Sequence, residues 1–309
     1  MSLSLPVLIV SVNFYLNEFG LFGNIEGKEY RVYNYEKTTK YLFSFNYIPS
    51  NFDSILVGPS LSDRMMDTKK LNNYRVYNLS MDGGNISELK YAIDNVLNYG
   101  NIKLFIICLD PFITKDSGTK SSQINTKEYY STLGSLFTLK HYIRKSISIR
   151  LGKKDMHYDS YWGYINNAYN LRDNNSTLDI NKYVNGLDPS KIDFLRIDKT
   201  AYKELSEVLA TVRKKDIQIL AYYYPRPKRI AEHHLYKLFN QQYKKKIDKL
   251  LNYDRDIIVD FSQNKYDYIR DDDNSYSDSG HLSRKGADKL LDVLNNKIKK
   301  IKNYDAVLP

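Results

Sequence analysis

Five short stretches of this chain are apolar at consecutive positions: Ser54–Gly58, Tyr74–Leu79, Ile102–Leu109, Ile217–Tyr224 and Ile257–Phe261. A strand that alternates apolar and polar residues has one face in water. A continuous apolar run is what a strand covered on both faces needs. Between and after these runs the apolar positions change to helical spacing. Ile86, Leu89, Ile93, Val96 and Leu97 form one stripe, and Leu205, Val208, Leu209 and Val212 a second. Leu235, Leu238, Phe239, Ile247, Leu250 and Leu251 form a third, and Ala287, Leu290, Leu291, Leu294, Ile298 and Ile301 the last. Strands that alternate with helices predict an α/β fold with a doubly wound, mostly parallel sheet.

Two regions break this rhythm. Residues 112–200 follow the third strand and carry a helical pattern over Lys127–Ile147. An aromatic, Asn-rich stretch with Tyr158, Tyr161, Trp162, Tyr164 and Tyr169 comes next. In open α/β sheets ligands bind outside the carboxyl ends of the strands. An insertion leaving strand three is therefore expected to act either as a lid over a pocket or as a structural cap, on one domain spanning 1–309. The second region is the N-terminal run Ser4–Val12, SLPVLIVSV. It is shorter than the roughly 20 residues that span a bilayer. It lacks the basic flank and cleavage site of a signal peptide. Two readings stay open: a buried strand, or the stub of a membrane anchor that would place the protein at a membrane surface.

Composition narrows the field. With 42% apolar and 27% charged residues the chain is globular in type, and 309 residues allow a large core. The net charge of +10 favours anionic partners. The densest basic stretches, Lys244-Lys245-Lys246 and Lys297 to Lys302, sit on amphipathic helices and read as solvated faces. No zinc-finger, RNA-binding or helicase motif accompanies them, so nucleic acid is not an expected partner. The 29 tyrosines could stack on sugar rings, or reflect base composition. The single cysteine, Cys108, lies inside an apolar run and reads as a buried thiol rather than a nucleophile.

The chemistry is sought at strand ends. Ser60, in Gly58-Pro59-Ser60-Leu61-Ser62, directly follows the first strand, where a hydroxyl can be exposed. A serine needs an adjacent base to become a nucleophile. His281 lies just before the last helix, with Asp278 three residues earlier. On a turn that spacing lets the carboxylate hold the imidazole tautomer and stabilise the imidazolium. His141, His157, His233 and His234 have no such neighbour. After the second strand, Asn78-Leu79-Ser80-Met81-Asp82-Gly83-Gly84 offers adjacent glycines whose backbone N–H groups could meet an oxyanion. No metal-ligand cluster or phosphate-binding loop is visible, so no cofactor or metal is expected.

Taken in order, these segments resemble the SGNH (GDSL) hydrolase superfamily. Gly58-Pro59-Ser60-Leu61-Ser62 resembles the GDSL block with Pro59 in place of Asp, and Asp278-x-x-His281 resembles the last block. Leu79 to Gly84, Leu109-Asp110-Pro111 and Asn13-Phe14-Tyr15 to Phe22-Gly23 are similar to a bacterial SGNH-like group linked to cell-envelope polysaccharide. Alginate-acetylation and teichoic-acid D-alanylation proteins are more distant by type. The resemblance implies a flavodoxin-like three-layer α/β/α sandwich with a five-stranded parallel sheet. It implies Ser60 as nucleophile, His281 as base, Asp278 as its orienter, and the N–H groups of Ser60 and Gly83 in the oxyanion hole. An extracytoplasmic place in the cell envelope follows by the same analogy.

One position departs from the family. Where an oxyanion-hole asparagine is usual, this chain has Asp110, which cannot donate a hydrogen bond unless protonated. Asn78 or Asn85 is then the candidate third donor, with Asp110 and Trp162 as candidate substrate contacts. The expected activity is that of a serine esterase or O-acyltransferase on an O-acylated, first of all O-acetylated, glycan or small ester. The alternatives are a non-catalytic glycan-binding or assembly protein on the same fold, and a lipase or thioesterase.

Overall fold

The computed structural model describes residues 4–17, 36–115, 158–159, 161–165 and 176–305, together with single positions between 124 and 147. The helices that matter below are α1 (Ser4–Leu16), α2 (Glu36–Phe43), the four-residue α3 (Ser60–Asp63), α4 (Ile86–Tyr99), α5 (Ser176–Asn185), α6 (Lys199–Lys214), α7 (His234–Ile247) and α8 (Arg284–Asp305). The strands of the main sheet are β1 (Ser54–Val57), β2 (Val76–Asn78), β3 (Leu104–Cys108), β4 (Gln218–Tyr223) and β5 (Ile257–Asp260). Each falls inside one of the five apolar runs.

The five strands are all parallel, in the order β2-β1-β3-β4-β5. This is the flavodoxin-like order. Alternate residues point to opposite faces, and both faces are buried. Ile55, Val57, Phe105, Ile107, Ile219 and Ala221 pack with α2, α4 and α6 on one side. Leu56, Leu104, Ile106, Leu220 and Val259 pack with α8 and the Met65-Met66 turn on the other. The result is a three-layer α/β/α sandwich. Helix starts follow local chemistry: Asn85 caps α4 by accepting from Glu88 N–H, and Asp198 caps α6 by accepting from Ala201 N–H.

The topology fixes where a site can form. From β1 the chain moves to β2 on one flank, and β3 lies on the other. The loops that leave the carboxyl ends of β1 and β3 therefore diverge and leave a crevice between them. Ser60 begins the segment after β1, and Asp110 lies just after β3.

Two expectations change. The N-terminal run is a helix, not a strand. Pro6 sits in its first turn, where the missing N–H costs nothing, and Asn17 ends it in the left-handed conformation at φ 41°. Ile9 and Asn13 are buried, whereas Leu5, Val7, Leu8 and Phe14 are exposed. Among the described residues no helix is long and apolar enough to cross a membrane. On α7 the buried positions are Tyr236, Tyr243 and Ile247, and Leu238 is exposed. The tyrosines at i and i+7 supply the larger buried faces, and Leu250 and Leu251 lie beyond the helix end. Most of Lys127–Ile147 and Tyr169 lie outside the described residues. Tyr158–Asp159 and Tyr164–Ile165 form a short antiparallel ribbon.

Candidate active site

The turn that carries Ser60 is shaped by Gly58. A Cβ at this position would lie 2.1 Å from Ser62 Oγ and 2.7 Å from Cys108 Cβ. Only glycine lets the chain turn this tightly against β3, and Pro59 then starts the four-residue α3 with Ser60 as its first residue. Ser60 is half-buried, while Ser62 and Asp63 behind it are fully buried.

The histidine arrives from the far end of the chain. Tyr276 and Leu282 pair across a tight loop, and Leu282 N–H donates to Tyr224 Oη at 2.9 Å, which ties the loop to the end of β4. Within it, Asp278 Oδ1 accepts from the N–H groups of Gly280 and His281, both at 2.7 Å. Asp278 Oδ2 lies 2.8 Å from His281 Nδ1, and His281 Nε2 lies 3.0 Å from Ser60 Oγ. Burial alone would raise the Asp278 carboxyl pKa. The hydrogen bond and charge of His281 and the two N–H groups outweigh it and hold the carboxyl well below the usual range. With a proton on Nδ1 for Asp278, Nε2 is left to accept from Ser60. Residues separated by 221 positions thus form one line of hydrogen bonds.

That line opens into a cavity of about 600 Å³, lined by Ser60, Leu61, Phe112, Arg226 and Asp278 to His281, and by Asp179, Lys182 and Tyr183 of α5. Burial pushes the Tyr183 phenol up, and it stays a neutral donor. Asp110 lies one layer behind. Its Oδ1 accepts from Phe112 N–H at 3.1 Å and its Oδ2 from Arg226 Nη2 at 2.6 Å. Both oxygens are engaged in shaping the loop and holding an arginine.

The amides singled out in the sequence are placed elsewhere. Asn78 is fully buried, with Nδ2 donating to Ser62 O at 2.7 Å and Oδ1 accepting from Ser80 N–H at 3.1 Å. It ties the Ser60 turn to the loop after β2 and does not line the cavity. Asn85 is the buried cap of α4 and does not line it either. Gly83 adopts φ 60°, which suits glycine, at the exposed tip of its loop outside the cavity wall. Trp162 packs edge-on against Phe52, and its carbonyl accepts from Asn78 N–H at 2.9 Å, which covers the β2 edge of the sheet. It does not line the cavity.

Sequence reasoning missed a cluster behind Ser60. Lys40 of α2 is fully buried, 2.7 Å from Glu36 Oε1 and 2.8 Å from Asp63 Oδ1, and it donates to Ser80 O. It joins Asp63, the last residue of α3, to the loop after β2. Burial lowers the Lys40 pKa, but Asp63 and Glu36 outweigh it and hold the ammonium up. Asp63 is pushed well up, first by burial and then by the charge of Glu36. In the sequence EKTTKYLF nothing separates Lys40 from an ordinary solvated lysine. Arg226 had a visible signal: it stands in Pro225-Arg226-Pro227, directly past the fourth strand.

Cys108 is buried, and burial pushes its thiol far up, so it is no nucleophile. Among the described residues no group of three His, Cys, Asp or Glu side chains is placed to hold a metal ion.

No protein-family model matches the chain, and no curated protein matches it. A solved structure from Streptococcus pneumonia, described as "a putative platelet activating factor", is similar to this chain at 11% identity and a TM-score of 0.44, over 96% of this chain and 99% of that one.

Proposed function

We propose that the protein is a serine esterase or O-acyltransferase of the SGNH type, acting on O-acylated glycan of the cell envelope, with O-acetyl as the first acyl group to test. The observation that carries the reading is the pair of hydrogen bonds Asp278–His281–Ser60, at 2.8 and 3.0 Å, opening into the cavity at the switch point of the sheet.

The steps follow from the geometry. Ser60 Oγ attacks the ester carbonyl carbon as its proton passes to His281 Nε2. The tetrahedral intermediate collapses with cleavage of the C–O bond to the alcohol, and His281 returns the proton to the leaving oxygen. An acyl-Ser60 remains. Water, or a sugar hydroxyl, gives its proton to His281 and attacks the acyl carbon, and Ser60 leaves with the proton restored. Asp278 stays ionised and steadies the imidazolium. The Ser60 N–H is the proposed donor to the oxyanion, with Gly83 joining it if its exposed loop closes on substrate.

The second reading, a non-catalytic glycan-binding protein, draws support from the engaged amides of Asn78 and Asn85 and the carboxylate at Asp110. Fluorophosphonate labelling with peptide mapping separates the two. The enzyme reading expects a label on Ser60 and hydrolysis of aryl acetates, with Ser60→Ala and His281→Ala each losing about 10⁴-fold or more in kcat. An unlabelled, folded wild-type protein would sink it.

A further inference from the structure

We infer that Arg226 makes this cavity an anion-reading site, so that the ester it accepts carries a carboxylate or phosphate bound by the free face of the guanidinium. The inference names a substrate class for the site proposed above and rests on that reading.

The argument starts from donors. A guanidinium has five N–H donors and is always charged. Asp110 takes one edge of Arg226, at Nη2, and the Tyr236 hydroxyl lies within hydrogen-bonding reach of the same guanidinium. Nε is buried with no hydrogen-bond partner. Nη1 runs beneath the catalytic loop, 3.1 Å from where a Cβ on Gly280 would stand. Any side chain at 280 would crowd the guanidinium, and glycine leaves it room beside Leu61 and the Asp278 to His281 turn. The side chain is only 12% exposed, yet it lines the same cavity as Ser60 and His281. A buried donor without an acceptor is unfavourable. An oxyanion entering the cavity is the acceptor that geometry invites.

The other walls fit this assignment. Tyr224 lies under the guanidinium at 5.7 Å and holds its plane. Behind it, a polar space of about 20 Å³ has room for about one water. Lys182 adds a second positive group at the rim. Of the two carboxylates on the wall, Asp278 is matched by His281 and Asp179 stands one turn from Lys182 on α5. Asp110 balances the net charge of Arg226, so selectivity comes from the directed N–H groups more than from excess charge.

The test compares two probes that differ in one charge, 4-acetamidobenzoate and acetanilide, both amides that the enzyme is not expected to cleave. Calorimetry should show the anionic probe binding wild type at least about ten-fold tighter. Arg226→Gln alone would strand Asp110 as a buried charge, so the informative variant is Asp110→Asn with Arg226→Gln, a neutral pair of similar size. Its unfolding curve checks that it folds. The preference should vanish in this pair. Equal binding of the two probes by wild type overturns the inference, as does a preference that persists in the pair.

The matching esters, 4-acetoxybenzoate and phenyl acetate, keep the two claims apart. Arg226-dependent binding of the anionic amide without hydrolysis of either ester leaves the anion site standing and removes the esterase reading. Hydrolysis of both esters at one kcat/KM does the reverse. An equal loss of kcat on both esters in the pair, with probe binding unchanged, would put Arg226 at the reacting carbonyl and also overturn the inference.

Discussion

Two buried cations flank the Ser60 helix, and they differ in what remains of their hydrogen bonds. Lys40 has three N–H donors and three oxygens around it: Glu36, Asp63 and Ser80. It is 0% exposed. Arg226 has five donors; Asp110 and the Tyr236 hydroxyl engage part of them, Nε has no partner, and the side chain lines a cavity. A cation whose donors are all taken by the fold can only hold the fold together. A cation that the fold grips by one edge has the rest of its chemistry directed at something else. Charge and burial alone would class the two together. The count of satisfied donors separates a structural ion from a binding group.

The largest effect that can break this contrast is on stability. Lys40→Met leaves Glu36 and Asp63 buried without a cation, and removing one partner of such a cluster costs about 3–5 kcal/mol. Urea unfolding should show that loss. The triple change Glu36→Gln, Lys40→Met and Asp63→Asn, which removes the charges together, should recover most of it. A Lys40→Met protein as stable as wild type would mean that the sealed cluster holds nothing.

The next effect is a pH dependence of opposite sign at the two sites. Asp278 is held below its unfolded value of about 3.9, so its contribution is complete above that pH and is lost as pH falls through the depressed folded value. Asp63 is raised, so its contribution is complete below about 3.9 and is lost as pH rises through the elevated folded value. Asp63→Asn imitates the protonated acid. Its stability relative to wild type should improve as pH rises, whereas Asp278→Asn should fall behind wild type as pH rises from 2 to 5. Urea midpoints across pH measure both. Parallel profiles for the two variants would contradict the assignment.

The same contrast explains what could be read from the sequence. Strand positions were legible because a strand covered on both faces must be apolar without a break, and β1 to β5 each fall within such a run. Ser60 stands out in the sequence because it directly follows a strand, and Asp278 with His281 because they are three residues apart; the contact between Ser60 and His281 spans 221 positions and has no local signal. The strand reading of the N-terminal run fails because an apolar run has no period to distinguish helix from strand. The signals of a helix there were Pro6 and Asn17, at the two ends. Lys40 was not legible at all. Its partners, Asp63 and Ser80, come from other segments, and a lysine looks the same in sequence whether water or two carboxylates surround it. Trp162 misled for the same reason: an aromatic in a polar stretch gives no sign of whether it faces a cavity or caps a sheet edge.

The smallest effect sharpens the open side of the comparison. Lys182 stands on the exposed face of α5, at the rim of the cavity that Arg226 lines from within. If directed donors do the reading, a mobile, hydrated ammonium at the rim adds only a screened attraction. Lys182→Gln should weaken binding of 4-acetamidobenzoate by about two- to five-fold, the range of exposed ion pairs. That loss should shrink further in 1 M salt, where the screening length falls to about 3 Å. The preference that depends on Arg226 should survive the same salt largely intact, because a guanidinium only 12% exposed is poorly screened. Titrating wild type, the Lys182→Gln variant and the Asp110→Asn with Arg226→Gln pair at low and high salt measures both terms. If salt removed the whole preference, the cavity would attract anions by its field, and the distinction between the sealed cation and the open one would lose its chemical meaning.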